Sequence, residues 1–289
     1  MAAKSDARQI RPGLIPWLEN LDEIPWWGLI LLLTGILVIF TVFPQEKYRE
    51  ALDFVIPGLR LTIVMALATF AIAIVLGLFA GLGRVSKNPV IYTIASLYVN
   101  TVRGVPMLVL VLYFAFVGMP LMVELMNWLG SWLSQYDLAG SLDQLAQDMA
   151  ALSIRNVDMT IRGIAALAFS YGAFEAEIYR AGIQAISKGQ MEAARSLGMS
   201  YVQAMRVIIL PQAIRIILPP MANDFIAVVK DTSLLSAIGV AEMTQLAKIH
   251  RASTFRTFEV WNTVTFLYLV LIFMLQIFAK FVEKRMARE

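Results

Sequence analysis

The 289-residue chain contains no cysteine and a single histidine. Without cysteine it cannot form a disulfide, a thiolate zinc site, an iron–sulfur cluster or a cysteine nucleophile. One histidine, His250, excludes a metal site built on several histidines and leaves little room for a Ser-His-Asp triad. The pattern G-x-x-x-x-G-K-[ST] is also absent, so the chain does not bind ATP through such a loop of its own. These absences argue against a catalytic site or a metal site in this chain.

Charged residues are scarce as well, at 16% of the chain, while 59% of the residues are hydrophobic and the mean hydropathy is +0.70. A soluble domain usually carries about a quarter charged residues. A soluble globule and a disordered chain are therefore both excluded. The net charge of +3 is small and the basic residues are scattered, so nucleic acid is a poor candidate partner. The composition favours a protein that lies in membrane lipid.

Long stretches without charge predict transmembrane helices, because a helix needs about 20 apolar residues to cross the hydrocarbon. We predict an all-α integral membrane protein with about six transmembrane helices. The predicted spans are 24–45, 61–83, 90–119, one beginning near residue 161, 216–246 and 260–279. The charged residues inside them are Arg103, Glu175, Glu177, Asp224, Lys230 and Asp231.

The distribution of Lys and Arg predicts the orientation, because basic loops stay on the cytoplasmic side. Segments 1–25, 84–89, 178–206 and 280–289 hold 13 of these residues, and the alternate segments hold 6. Both termini are therefore expected in the cytoplasm. Segment 120–158 is expected outside, where Trp128 and Trp132 beside polar residues suit a part that lies on the membrane surface.

Residues 186–207 predict two short helices joined by a glycine turn between two spans. Residues 187–190 and 200–203 each match a Ser-x-x-Gln capping box, which starts a helix. Gly198 suits the left-handed position that ends the first helix, and the second helix is expected to run through Val207. Small residues in the first helix would let another surface approach closely.

Within this segment, Glu192-Ala193-Ala194 followed by Gly198 resembles the EAA motif, E-A-A-x-x-x-G, of ABC importer permeases. Three flanking sequences resemble the permeases of polar amino-acid uptake systems. They are Arg103-Gly104-Val105-Pro106, Ala176-Glu177-Ile178-Tyr179-Arg180 and Lys230-Asp231-Thr232-Ser233-Leu234. Val105 departs from the Thr usual in that family. The resemblance covers roughly residues 56 to 280 with the motifs in the expected order.

The resemblance implies an ABC importer type I permease-like fold with three parts. Residues 1–55 would be an N-terminal cytoplasmic segment plus an extra transmembrane helix. Residues 56–283 would be the permease domain, with the coupling loop near 186–207 and an external insertion near 120–158. Residues 284–289 would be a cytoplasmic tail. In that family the loop is a coupling helix that fits a groove on the ATPase, which assigns ATPase coupling to Glu192, Ala193, Ala194 and Gly198.

The resemblance also implies the function and the partners. The chain would be the permease subunit of an importer for polar or charged amino acids in the bacterial cytoplasmic (inner) membrane, with membrane lipid around it. Its partners would be a cytoplasmic ABC ATPase dimer, which binds ATP and Mg²⁺, a second permease, identical or homologous, and a periplasmic or lipid-anchored amino-acid-binding protein. The chain itself would carry no cofactor and catalyse no covalent step.

A zwitterionic amino acid requires an acceptor for its ammonium and a donor for its carboxylate. Glu175 or Glu177 could be the acceptor and Arg103 or Lys230 the donor, with internal ion pairs as the alternative role for each. The two glutamates lie about 200° apart on a helix, so at most one faces a central pocket. Glu175 is preferred because it shares a face with Tyr171. The predicted pathway residues are Tyr171, Arg103, Glu175, Glu177, Asn223, Lys230 and Asp231.

Two other classes of protein remain open at this point. A self-sufficient secondary transporter of small polar solutes would often show inverted repeats, which the sequence does not display. A membrane-embedded enzyme would need a constellation of catalytic groups, and the scarcity of histidine and cysteine removes most of them. An ATPase reading frame beside this one would favour the importer.

Overall fold

The computed structural model describes residues 26–42, 44–136 and 140–286, and every regular element in these residues is helical. The α-helices are α1 (Trp26–Thr41), α2 (Glu46–Arg84), α3 (Pro89–Arg103), α4 (Met107–Tyr113), α5 (Met119–Leu133), α6 (Ser141–Ala150), α7 (Met159–Gln184), α8 (Lys188–Ser196), α9 (Tyr201–Ala204), α10 (Leu210–Asp231), α11 (Met243–Thr254) and α12 (Thr257–Met286). π-helical turns at Phe114–Gly118 and Met205–Ile209 and 3₁₀ turns at Ile154–Asn156 and Thr232–Ile238 complete them. Residues 1–25 of the predicted N-terminal part and residues 287–289 of the predicted tail lie outside the described residues.

The chain divides into two compact units, Met1–Arg49 and Glu50–Glu289. Helix α1 belongs to the first unit. The second unit contains most of α2 and every helix from α3 onward. The candidate site described below lies wholly in the second unit.

Four helical segments are long and apolar enough to cross a membrane: Glu46–Arg84, Met107–Leu133, Tyr201–Ile238 and Thr257–Glu283. The prediction of an all-α membrane protein is therefore confirmed. Two predicted spans do not meet this criterion. The described part of helix α1 has 16 residues, fewer than the criterion requires. Helix α7 has 26 residues, but its charged side chains lower its hydropathy.

The third predicted span, 90–119, had wrong boundaries. Helix α3 ends at Arg103, and a new helix begins only after Pro106. Proline has no N–H to donate and disfavours helical geometry in the residue before it, which explains the break. The apolar segment that follows continues to Leu133. Much of the predicted insertion at 120–158 is therefore helical, in α5 and α6.

The fifth predicted span, 216–246, begins and ends later in the sequence than the apolar helical segment that the structure shows. The apolar helical segment runs from Tyr201 to Ile238 and ends where Gly239 adopts a left-handed φ of 81°. Pro219 and Pro220 lie inside α10, which stays helical through both. His250 is a buried residue of α11, and its ring stacks on that of Phe54 at 4.8 Å between centroids.

Helix α7 contributes more buried residues to the described core than α3, α10 or α11. Small residues allow close approach of its neighbours: a Cβ on Gly77 of α2 would lie 2.4 Å from Cβ of Glu175. The Tyr98 hydroxyl of α3 donates a hydrogen bond of 2.6 Å to the carbonyl of Phe169. Asp158 caps the helix, and hydrogen bonds from Thr160 hold the pKa of its carboxyl below the ordinary value. A helix with polar residues thus lies among α2, α3 and α10.

Candidate substrate cavity and coupling segment

Three arginines from different helices surround the carboxylate of Glu177 on α7. The Nη1 atoms of Arg84 and Arg103 lie 3.1 Å and 3.9 Å from Glu177 Oε2, and Arg180 hydrogen-bonds to Oε1. Charge inside a membrane bundle is costly unless it is paired. The three guanidiniums more than balance the negative charge of Glu177, so the cluster as a whole is positively charged.

A cavity of about 370 Å³ opens beside this cluster. It is lined by Arg103, Phe174, Glu177, Ile178, Ala181, Gly182, Ile216, Pro220 and Asp224. The guanidinium carbon of Arg103 lies 5.6 Å from the centroid of the Phe174 ring, within cation–π range. Asp224 forms no salt bridge with any residue that the structure describes. The cavity therefore presents the guanidinium of Arg103, held at the limit of ion-pair distance, and the carboxylate of Asp224, which forms no salt bridge with a described residue.

The other predicted pathway residues lie outside this cavity. The Tyr171 hydroxyl donates a 2.8 Å hydrogen bond to Oδ2 of Asp231. Glu175 is completely buried, and neither of its carboxylate oxygens has a hydrogen-bond partner among the described residues. Asn223 and Lys230 are exposed on α10. Of the seven predicted residues, the structure brings together only Glu177 and Arg103 at the cavity.

Sequence reasoning did not select Arg84, Phe174 or Asp224 as site residues. Arg84 follows the apolar stretch of the second predicted span, where the sequence indicates only a basic loop residue. Asp224 was noted as a charge within a span, which was the available signal. Phe174 gave no signal, because an aromatic residue in an apolar helix is ordinary in packing.

Residues 186–207, which we call the coupling segment after their predicted role, have the predicted helix–turn–helix form. Gly198 adopts φ 84° after α8, where its N–H donates to the carbonyl of Arg195 and the Met199 N–H donates to that of Ala194. These two bonds form a Schellman motif. Ser200 and Gln203 form the predicted reciprocal capping box. The second helix does not end at residue 207, since it continues through the π-helical turn into α10.

Large apolar side chains around this turn face outward. Leu197 is 82% exposed, Val202 71% and Tyr201 58%. Glu192 and Ala193 are also exposed, whereas Ala194 is buried. The sequence reasoning selected the EAA residues and missed these three, although an apolar residue beside Gly198 was a readable signal. A protruding apolar cluster of this kind typically marks a protein interface.

Comparisons with known proteins agree with this architecture. Residues 73–288 match the family described as binding-protein-dependent transport system inner membrane component. The probable amino-acid permease protein YxeN of Bacillus subtilis (strain 168) is 32% identical over 84% of this chain and 96% of its own length. The glutamine transport system permease protein GlnP of Escherichia coli (strain K12) is 30% identical over 84% of this chain and 98% of its own length.

Solved structures of ABC transporters are also similar to this chain. A crystal structure of an amino acid ABC transporter with histidines shares 33% identity, with a TM-score of 0.64, over 81% of this chain and 94% of the other. An inward-facing structure of the MetNI methionine ABC transporter shares 17% identity, with a TM-score of 0.56, over 81% and 96% of the two chains. The second similarity concerns the fold alone.

Proposed function

The chain belongs to the family of binding-protein-dependent transport system inner membrane components, and on that basis we propose that it is the permease subunit of an ABC importer for polar or charged amino acids. The observation that carries the proposal is the pairing of a charged cavity within the bundle with an exposed apolar turn outside it. The cavity suits a small polar solute. The turn suits an ATPase.

The coupling segment would contact a cytoplasmic ABC ATPase dimer, which binds ATP and Mg²⁺. Leu197, Tyr201 and Val202 project beside the EAA residues, so burying them against a partner would add hydrophobic free energy. The Schellman motif at Gly198 fixes the angle between α8 and the following helix. A fixed angle would let a movement of the ATPase reach α10 and hence the cavity. A second permease, identical or homologous, and a periplasmic or lipid-anchored binding protein would complete the importer.

The cavity would bind the zwitterionic part of the amino acid. Arg84 and Arg180 already compensate Glu177, so the guanidinium of Arg103 has donors to spare for a carboxylate. Asp224 would accept the ammonium, because it lines the same cavity and lacks a salt bridge among the described residues. Both bonds would be charge-assisted. This proposal keeps Arg103, one of the two donors that the sequence suggests, and takes Asp224 as the acceptor in place of Glu175 or Glu177.

The excess of Lys and Arg in alternate segments supports cytoplasmic termini in a bacterial inner membrane. The coupling segment then lies on the same side as the expected ATPase. Helix α6, which follows the apolar segment Met107–Leu133, would then lie on the opposite side.

The test is uptake of radiolabelled amino acids by proteoliposomes that contain the chain together with the ATPase and the binding protein that co-purify with it. We expect uptake that requires ATP and continues when ionophores dissipate the ion gradients. Uptake that needs only the chain and an ion gradient would instead establish a secondary transporter. Loss of ATP-driven uptake after Leu197→Ser, but not after Phe258→Ser at the start of α12, would support the assigned ATPase contact.

A further inference from the structure

A second cavity, of about 580 Å³, lies between α2, α10 and α12, away from the charged cavity. Its walls are apolar and include Leu67, Phe70, Leu218, Phe225 and Phe278. Two lining residues are charged, Arg215 of α10 and Glu283 of α12. We call this feature the α2–α10–α12 groove.

The two charges lie at the same end of the groove. Arg215 is five residues after the start of α10, and Glu283 is three residues before the end of α12. The two helices run in opposite directions, because the chain turns back through α11 between them. Neither residue forms a salt bridge within the described chain. The groove thus joins an apolar cleft to one cation and one anion at a single end.

The length of the groove matches one leaflet. Arg215 and Ile226, which both line it, are eleven residues apart on α10, or about 16 Å at the rise of an α-helix. The hydrocarbon core is about 30 Å thick, so each leaflet contributes about 15 Å. An acyl chain anchored at the charged end would reach the bottom of the groove.

We propose that the α2–α10–α12 groove binds a phospholipid whose headgroup carries both a phosphate and a primary ammonium. Arg215 binds the phosphate, Glu283 accepts hydrogen bonds from the ammonium, and one acyl chain fills the apolar cleft. Charge complementarity at a single end selects this occupant. The bulk lipid supplies hydrocarbon everywhere, but only this headgroup pairs with both side chains. The inference requires that the chain spans a bilayer and is independent of the transported solute.

The experiment uses the protein extracted in mild detergent with its co-purifying subunits. Retained phosphatidylethanolamine and phosphatidylglycerol are measured by native mass spectrometry after exchange against each lipid. Of these two lipids, only phosphatidylethanolamine carries an ammonium group. We expect the wild type to retain it in preference. Arg215→Gln should weaken retention of both lipids roughly tenfold or more, whereas Glu283→Gln should weaken only phosphatidylethanolamine. Arg206→Gln, an exposed arginine near the same end but outside the groove, is the matched control.

Equal retention of the two lipids by the wild type, or an unchanged profile in Arg215→Gln, would overturn the proposal. Should Arg215→Gln fail to fold, Ala222→Phe fills the cleft while keeping both charges, and it should release both lipids. The other possible occupant of the groove is a second copy of the chain. Because the native chain has no cysteine, Phe278→Cys tests this by disulfide formation. A disulfide between two copies in native membranes would make the groove a subunit interface and would also overturn the proposal.

Discussion

The α7 cavity and the coupling segment distribute polarity in opposite ways. Inside the bundle, Arg103, Glu177 and Asp224 face a cavity among apolar helices. Outside the bundle, Leu197 and Val202 project from a short polar helical segment and are mostly exposed. Each region therefore contains the type of residue that its surroundings disfavour: charged residues among apolar helices in the cavity, and exposed apolar residues in the coupling segment.

The two regions differ in how the cost of that placement is met. Glu177 is held by three guanidiniums within the chain itself, which offsets the loss of hydration. Among the described residues nothing comparable covers Leu197, which is 82% exposed, and only the proposed partner would remove its apolar surface from water. The ion pairs of the cavity are thus formed within the chain, whereas the proposed coupling surface would be covered only in an assembly. Substitutions in the two regions should accordingly differ in whether they affect stability or function.

The largest change in stability should come from a substitution at Gly77, where α2 packs closely against α7. A Cβ at Gly77 would lie 2.4 Å from Cβ of Glu175 and 3.1 Å from the backbone of the next residue. Gly77→Val should therefore separate α2 from α7 and destabilise the chain by about 3 kcal/mol. The measurement is the thermal midpoint of the detergent-purified complex.

Ala71→Val adds similar bulk to α2 at an exposed position and serves as the control. We expect its thermal midpoint to match that of the wild type. Equal stability of both variants would show that the close approach of α2 to α7 is not required.

The next effect concerns the ligand in the cavity. Asp224→Asn keeps the shape of the side chain and removes its charge, so the proposed bond to the ammonium loses about 1.5–3 kcal/mol. Titration of the purified permease–ATPase complex, without binding protein, should show an apparent Kd about 10- to 150-fold weaker. Arg103→Gln should act similarly on the carboxylate.

Asp158→Asn is a matched change outside the spans, since asparagine caps a helix as well as aspartate does. It should leave ligand affinity unchanged. If Asp224→Asn also binds like the wild type, then the ammonium is not recognised in this cavity.

A smaller effect is expected at the coupling turn. A Cβ on Gly198 meets nothing within 4 Å, so Gly198→Val suffers only from its left-handed backbone, by roughly 1–2 kcal/mol. Insertion and ligand affinity should persist while ATP-driven uptake falls. Gly239→Val introduces the same left-handed strain (φ 81°, with nothing within 4 Å of the added Cβ) outside the coupling segment, and it should transport normally. Wild-type uptake by a correctly assembled Gly198→Val importer would refute a coupling role for the turn.

The two regions also differ in what their sequences reveal. The coupling turn is encoded locally, by Gly198 and the capping residues 200–203, so its conformation was predicted correctly. The cavity depends on Arg84, Arg103 and Asp224, which come from three helices far apart in sequence. Periodicity within one helix cannot reveal which residues of other helices approach it.

The boundaries of the spans show the same limit. Long uncharged stretches located α2 and α12, because their apolar side chains face lipid. Pro106 ended the third helix earlier than its hydropathy suggested, and α7 fails a hydropathy criterion because it is central and polar. Hydropathy therefore identifies helices at the lipid surface more readily than the helix that forms the cavity.

The smallest effect should be that of Glu175→Gln, although the sequence alone favoured Glu175 for the ligand. Its side chain is completely buried and does not line the cavity, and its oxygens make no hydrogen bond within the described chain. Glutamine has nearly the same volume and breaks no observed contact, so packing against Gly77 should persist. We expect an apparent Kd within about twofold of the wild type, below about 0.5 kcal/mol. The same titration as for Asp224→Asn provides the comparison. A tenfold weaker Kd with unchanged thermal stability would mean that the ligand reaches past Phe174 to Glu175, and the boundary drawn here between cavity and core would be wrong.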